Sequence, residues 1–208
     1  VIFFLFFLGI FLVKGRLKQW LVAATVFSIL MSWGRNFEVL TNFFIDYVPL
    51  YNKFRAVSSI QVIAELCVPI LAILGLKEFF SSKLSSEEKQ SALKKAVYIF
   101  CGLIILGFLL AHGFSTFEGI RDNTYVNIEN QYKIKNVLDA LIADRKSMLF
   151  SDSIRSLVLM LLSAGILWGL LKNKLKQPIA ILGIAVFILF DLISVNKKYV
   201  NEDDFKSA

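Results

Sequence analysis

Long apolar runs separated by short charged linkers organise this chain. Six blocks stand out, at about 1–13, 18–33, 58–76, 96–112, 153–171 and 178–194. Within each, apolar residues occupy every helix face rather than one stripe. A bilayer offers no partners for open backbone groups, so such blocks predict membrane-spanning helices. A transmembrane β-barrel would instead alternate over roughly ten-residue segments. The expectation is an all-α integral membrane protein: a polytopic bundle of about six spans over residues 1–194, followed by the start of an extracytoplasmic tail over 195–208.

A different pattern runs from Gln131 to Phe150. Ile134, Val137, Leu138, Leu141, Ile142, Met148 and Leu149 follow the spacing of an amphipathic helix, with Lys133, Lys135, Asp139, Asp144, Arg145 and Lys146 largely opposite. This predicts an outer-loop helix over about 131–150, flat on the membrane surface or over the mouth of the bundle. Ser85 and Glu88 form a capping box that starts a helix running into the fourth block. Pro178 suits the first turn of the last span. Pro69, inside the third, should kink its helix and free a carbonyl near Glu65. Gly75 and Gly165 read as points of close helix packing.

Composition agrees with the pattern. Of the 208 residues, 57% are hydrophobic and 20 are Phe, and the mean hydropathy is +0.67. Soluble domains average about 45–50% apolar residues. The net charge of +7 does not indicate nucleic acid, because the basic residues sit in linkers between apolar blocks. The linkers 14–19 (Lys14, Arg16, Lys18), 77–95 (Lys77, Lys83, Lys89, Lys94, Lys95) and 172–177 (Lys172, Lys174, Lys176) hold eleven of the 23 Lys and Arg residues. They alternate with two longer, less basic connections, 34–57 and 113–152. The positive-inside rule therefore puts the three basic linkers in the cytoplasm and the C-terminal end outside. The first block, Val1 to Val13, spans roughly 20 Å against roughly 30 Å of hydrocarbon. With no initiator Met and a polar end at Asn201–Lys206, the sequence reads as an internal piece of a longer protein.

Glu65 is the most informative single residue. It lies about seven residues into the third block, where a carboxylate must be neutralised or partnered. Gln61 is one turn earlier on the same face. Two readings stand: a polar cavity open to the outside in which Glu65 binds substrate or relays a proton, or a hydrogen-bonded Glu joining two helices. Asp191 and His112 close their spans on the same side. Asp191 suits an interfacial, solvated carboxylate, and a lone His suits hydrogen-bonded packing. Asp152 and Arg155 can pair on one helix turn, and with Asp144 and Arg145 make a charged anchor. Lys53 and Arg55 end the aromatic outer connection. Arg there can grip a lipid phosphate with two parallel hydrogen bonds, or belong with Lys53 to an interfacial belt. Cys67 and Cys101 lie within apolar blocks as small hydrophobes. No Walker loop, nucleophile triad or metal-binding His/Cys set is present, and no cofactor is identified.

Three stretches carry a family resemblance. Pro49-Leu50-Tyr51-Asn52-Lys53-Phe54-Arg55-Ala56, leading straight into a span, resembles the "P-x-[FY]-x-x-[FL]-R" element of the YfhO family of bacterial membrane proteins. Asp144-Arg145, Asp152 and Arg155-Ser156-Leu157, opening another span, are similar to that family. So are Asp191-Leu192, Asn196-Lys197-Lys198-Tyr199-Val200 and Asp203-Asp204-Phe205. The resemblance covers about residues 34 to 205, with a flavour similar to Bacteroidetes members. It implies a multi-pass protein of the bacterial cytoplasmic (inner) membrane, of the GT-C glycosyltransferase type. Such proteins transfer sugar from a polyprenyl-phosphate carrier on the outer side during cell-envelope synthesis. The catalytic carboxylate of that type sits in a first outer loop, with which a divalent metal would be compatible. No catalytic residue is therefore assigned within this chain. Arg55 matches the family element as a carrier-phosphate ligand, whereas Glu65 matches no family residue. The expected partners are membrane lipids, the polyprenyl-phosphate-linked sugar and other envelope membrane proteins. The competing functions are a transporter or flippase for a lipid-linked glycan, for which Pro69 and Glu65 would serve equally, and a non-catalytic membrane subunit of an envelope complex.

Overall fold

The computed structural model describes residues 1–49, 51–53, 57–119, 122 and 137–199. Among them there is no strand. Among the described residues seven α-helices follow one another: α1 (Ile2–Leu12), α2 (Arg16–Ser32), α3 (Glu38–Tyr47), α4 (Val62–Phe80), α5 (Ser86–Phe114), α6 (Val137–Leu171) and α7 (Gln177–Tyr199). Short 3-10 turns at Gly34–Phe37, Tyr51–Lys53 and Val57–Gln61 flank α3 and lead into α4. Four helical stretches, Ser58–Phe80, Ser86–Gly113, Val137–Leu171 and Gln177–Lys197, are long and apolar enough to cross a membrane. They contain the blocks at 58–76, 96–112, 153–171 and 178–194. The blocks at 1–13 and 18–33 form shorter helices, α1 of 11 residues and α2 of 17.

Local chemistry sets the boundaries. Ser85 and Glu88 make the reciprocal capping box that the sequence predicts, with Ser85 N–H donating to Glu88 Oε2 at 2.9 Å and Glu88 N–H donating to Ser85 Oγ at 3.2 Å. This starts α5 well before its apolar stretch. α6 ends because Asn173 adopts φ 55°, the left-handed conformation that stops helices. There Lys174 N–H donates to Gly169 O at 2.9 Å and Asn173 N–H to Leu170 O at 3.0 Å. α4 passes through Pro69 as one helix, although the proline leaves the Glu65 carbonyl without its intrahelical donor.

The expected amphipathic helix and fifth span are one element. The described part of that stretch, from Val137, continues unbroken through Ser151, Asp152 and Ser153 to Leu171. At 35 residues α6 is roughly 50 Å long, well beyond a hydrocarbon core of roughly 30 Å. Its first turns therefore prolong the span's own axis instead of folding back as a separate helix. Residues 131–136 lie outside the described residues.

α1 is the centre of the bundle. Phe4, Leu5 and Leu8 are fully buried, and they share one core with Ala72 and Phe79 of α4, Leu93 and Ala96 of α5, Met160 and Leu167 of α6, and Ile184 of α7. A second cluster joins Phe6 of α1 to Leu21 of α2 and Cys67, Val68 and Leu71 of α4. Surrounded in this way, α1 needs no polar face. α1, α4 and α6 run in one direction and α2, α5 and α7 return. One end of the bundle gathers Lys14, Leu84, Glu88 and Lys95 and sets Lys94 and Lys172 over Trp168. All three basic linkers are thus at one end.

The outer surface is as apolar as the core. In its most apolar window α5 is only 6% buried, and α7 only 11%. Leu109, Leu182 and Leu189 are more than half exposed. Contiguous apolar surface on this scale is incompatible with water and suits lipid or further helices.

Two glycines set the closest helix approach. A Cβ on Gly75 would stand 2.6 Å from Gly9 Cα, and one on Gly9 would stand 2.4 Å from the Leu71 carbonyl oxygen. Close approach of this kind is how helices associate where lipid removes the hydrophobic drive between them. Gly165, expected to do the same, has nothing within 4 Å of its Cβ position. It faces open space, and the sequence cannot distinguish the two uses of a small residue. Gly75→Leu should therefore destabilise the bundle by about 2 kcal/mol or more through overpacking. Gly165→Ala should be neutral or stabilising by up to about 1 kcal/mol, from helix propensity alone. Unfolding in detergent, followed by circular dichroism, checks both. Equal losses would contradict the Gly9–Gly75 contact.

Candidate functional site: a polar groove opposite the basic end

At the end away from the basic linkers, α1, α2, α4 and α7 enclose a groove of about 550 Å³. Its walls are apolar, including Ile2, Phe3, Ile29 and Val68. Its polar groups are Gln61, Glu65 and Asp191. Three residues singled out in the sequence therefore come together, from α7 and the start of α4.

Glu65 stands seven residues into the apolar stretch Ser58–Phe80, as its place in the apolar block implies. The 3-10 turn Val57–Gln61 delays the α-helix to Val62, so Glu65 falls in the first turn of α4 and is exposed to the groove. The helix dipole favours a carboxylate there. Gln61 is held by α2, its Nε2 donating to Ser32 Oγ at 3.1 Å, while Ser28 Oγ donates to Ile60 O at 2.7 Å. These bonds fix the entry into α4 against α2.

Asp191 is the junction of α7 with its neighbours. Arg155 Nε lies 3.9 Å from Asp191 Oδ1, and Arg155 Nη2 lies 3.6 Å from Asp152 Oδ1. Arg155 thus bridges α6 to α7 behind the groove. The Asp152–Arg155 pair is the i,i+3 pair expected from sequence.

The remaining candidates lie elsewhere. Lys53 is exposed on its 3-10 turn and does not line the groove. Arg55, the expected phosphate ligand, lies outside the described residues. His112 is exposed in the last turn of α5, its Nδ1 3.2 Å from Phe108 O and its ring 4.2 Å from the Phe108 ring. It packs against aromatics as a lone His suggests, and takes no part in the groove. Among the described residues no three of His, Cys, Asp and Glu stand together to hold a metal ion.

A clamp at this end joins α6 to the connection after α5. Proximity in sequence groups Arg145 with Asp152 and Arg155, but its side chain reaches back to the connection after α5. Its guanidinium donates to the Phe117 carbonyl at 2.7 Å and to Asp122 Oδ1 at 2.9 Å, and Asp122 Oδ2 accepts from Gly119 N–H at 2.7 Å. Phe117 adopts φ 61°, which a bulky residue holds only when its surroundings impose it. The Arg145 guanidinium and the Gly119 amide hold the Asp122 carboxyl down to about 2. Because that value is depressed, the clamp is at full strength above the ordinary aspartate range, near pH 4. It weakens as pH falls from there through about 2. A spin label at Thr116→Cys should stay immobilised from pH 7 down to about 4 and become mobile below that. In an Asp122→Asn background it should be mobile throughout. Equal mobility in both backgrounds at pH 7 would remove the clamp.

No protein-family model, no curated protein and no solved structure matches the chain.

Proposed function

We propose that this chain is part of a cell-envelope glycosyltransferase of the bacterial inner membrane, using a polyprenyl-phosphate-linked sugar on the outer face. The observation that carries the reading is the groove: an apolar cleft with three polar side chains, at the end of a membrane bundle opposite its basic linkers. Six spans then cross the bilayer, with α1 and α2 as two of them and the C-terminal end outside. The resemblance of the Pro49–Ala56, Asp144–Leu157 and Asp191–Phe205 stretches to the YfhO family supports the same reading.

The lining divides the substrate between two places. Glu65 and Asp191 are acceptors when ionised, and a polyhydroxylated sugar is a set of donors. Two carboxylates repel a phosphate, so the carrier phosphate belongs outside the groove, and the family resemblance assigns it to Arg55, with Lys53 close by in sequence. The prenyl chain follows the apolar walls into lipid. Arg155 holds Asp191 in place through their shared contact. The catalytic carboxylate of this type lies outside residues 1–208.

A second reading, a transporter or flippase for the same lipid-linked glycan, draws on Pro69 and Glu65 side by side in the groove wall. The intact protein in lipid, supplied with radiolabelled polyprenyl-phosphate sugars, separates them. Transfer or turnover should fall on the order of tenfold or more in Arg55→Ala, from loss of a charge-assisted phosphate contact. Glu65→Gln should raise the sugar KM, since it keeps the shape and loses the charge. No turnover by the parent, with carrier moved across the bilayer, would favour the flippase. Carrier bound but neither moved nor consumed would leave a non-catalytic subunit.

A further inference from the structure

A second cleft opens between α5 and α6 at the basic end, with a volume of about 290 Å³. Buried Leu93 and Ala164 form its floor. Gly165 supplies room, since nothing lies within 4 Å of its Cβ position. Tyr98 and Trp168 stand at its edges, and Trp168 is 37% exposed. Lys94 Nζ lies 5.9 Å and Lys172 Nζ 5.8 Å from the centre of the Trp168 ring, so two ammonium groups flank the aromatic ring at the edge of the apolar slot. Among the described residues neither lysine has a carboxylate partner.

We propose that this cleft binds an anionic phospholipid of the surrounding leaflet. One acyl chain occupies the slot over Gly165, and the phosphate sits between Lys94 and Lys172. The chemistry follows from the arrangement. Amphipathic Trp and Tyr mark the level where headgroup meets hydrocarbon. Lysine reaches that level from within a helix by extending its stem along apolar surface. Basic pockets between membrane helices are selective for anionic headgroups. Charge complementarity also explains why the neighbouring cleft between α1 and α5 is a poorer host. It presents Lys14 and Lys95, but Glu88 lines it as well and would repel a phosphate.

Trp168 reports occupancy directly. In a Trp20→Phe, Trp33→Phe background it is the sole tryptophan of residues 1–208. The protein is reconstituted in phosphatidylcholine containing a small fraction of dibrominated lipid, either phosphatidylglycerol or phosphatidylcholine. The brominated phosphatidylglycerol should quench Trp168 in clear excess. Lys94→Gln with Lys172→Gln should reduce that preference roughly tenfold. Gly165→Leu should lower quenching with the lysines intact, because it fills the slot. Equal quenching by the two lipids, or an excess that survives the double lysine substitution, overturns the proposal. So does an excess abolished by inorganic phosphate, which would make the lysines a soluble-anion site.

Discussion

The approach of α1 to α4 at Gly9 and Gly75 is the contact on which the rest of the arrangement depends. Each glycine leaves space that the other helix's backbone fills. The pairing also fixes register. The two helices run in parallel, so Leu5 meets the level of Leu71 and Val1 that of Cys67. That brings Val1, Ile2 and Phe3 against Glu65, Val68 and Pro69, which makes one wall of the polar groove. A side chain at either glycine would separate the helices and open the groove to the core. α5 packs on another face of α1, α6 packs on α5 and α7 on α6, and Leu93, Met160 and Ile184 bring them into the same core as α1.

The solvent of this fold is lipid, and that changes which interactions discriminate. Burying Leu8 between helices gains little over leaving it in hydrocarbon. What decides the packing is close contact and the few polar links: Ser28 to Ile60, Gln61 to Ser32, and Arg155 to Asp191. These links all lie towards the groove end. At the other end cations lie over aromatic rings, Lys94 and Lys172 over Trp168 and Lys95 over Phe11. The two ends therefore differ in chemistry as well as charge, one lining an apolar groove with Gln61, Glu65 and Asp191 and the other setting lysines over aromatic rings.

Much of this was legible in the sequence, and the exceptions have physical causes. Uniformly apolar blocks mark helices whatever surrounds them, so the apolar parts of α4, α5, α6 and α7 were readable, as was the capping box at Ser85. The join within α6 was not. Ser151, Asp152 and Ser153 resemble a break, yet Ser153 Oγ donates to Leu149 O at 2.7 Å and the helix continues. α3 lies in a stretch whose aromatic and polar residues suggest an outer connection, although Val39, Phe43 and Tyr47 have helical spacing. Gln61 and Glu65 share a face by periodicity alone, but no local rule brings Asp191 to them. Arg145 found Asp122, 23 residues away, where proximity in sequence favoured nearer partners.

The central claim is that the helices cross a bilayer with the basic linkers on one side and the groove on the other. Sidedness tests it most directly. In a chain whose Cys67 and Cys101 are replaced, single cysteines at Ser82 and at Asn127 are probed with an impermeant maleimide on intact cells, before and after permeabilisation. The account predicts that Asn127→Cys labels on intact cells and Ser82→Cys only after permeabilisation. Labelling of both positions from the same side would contradict it.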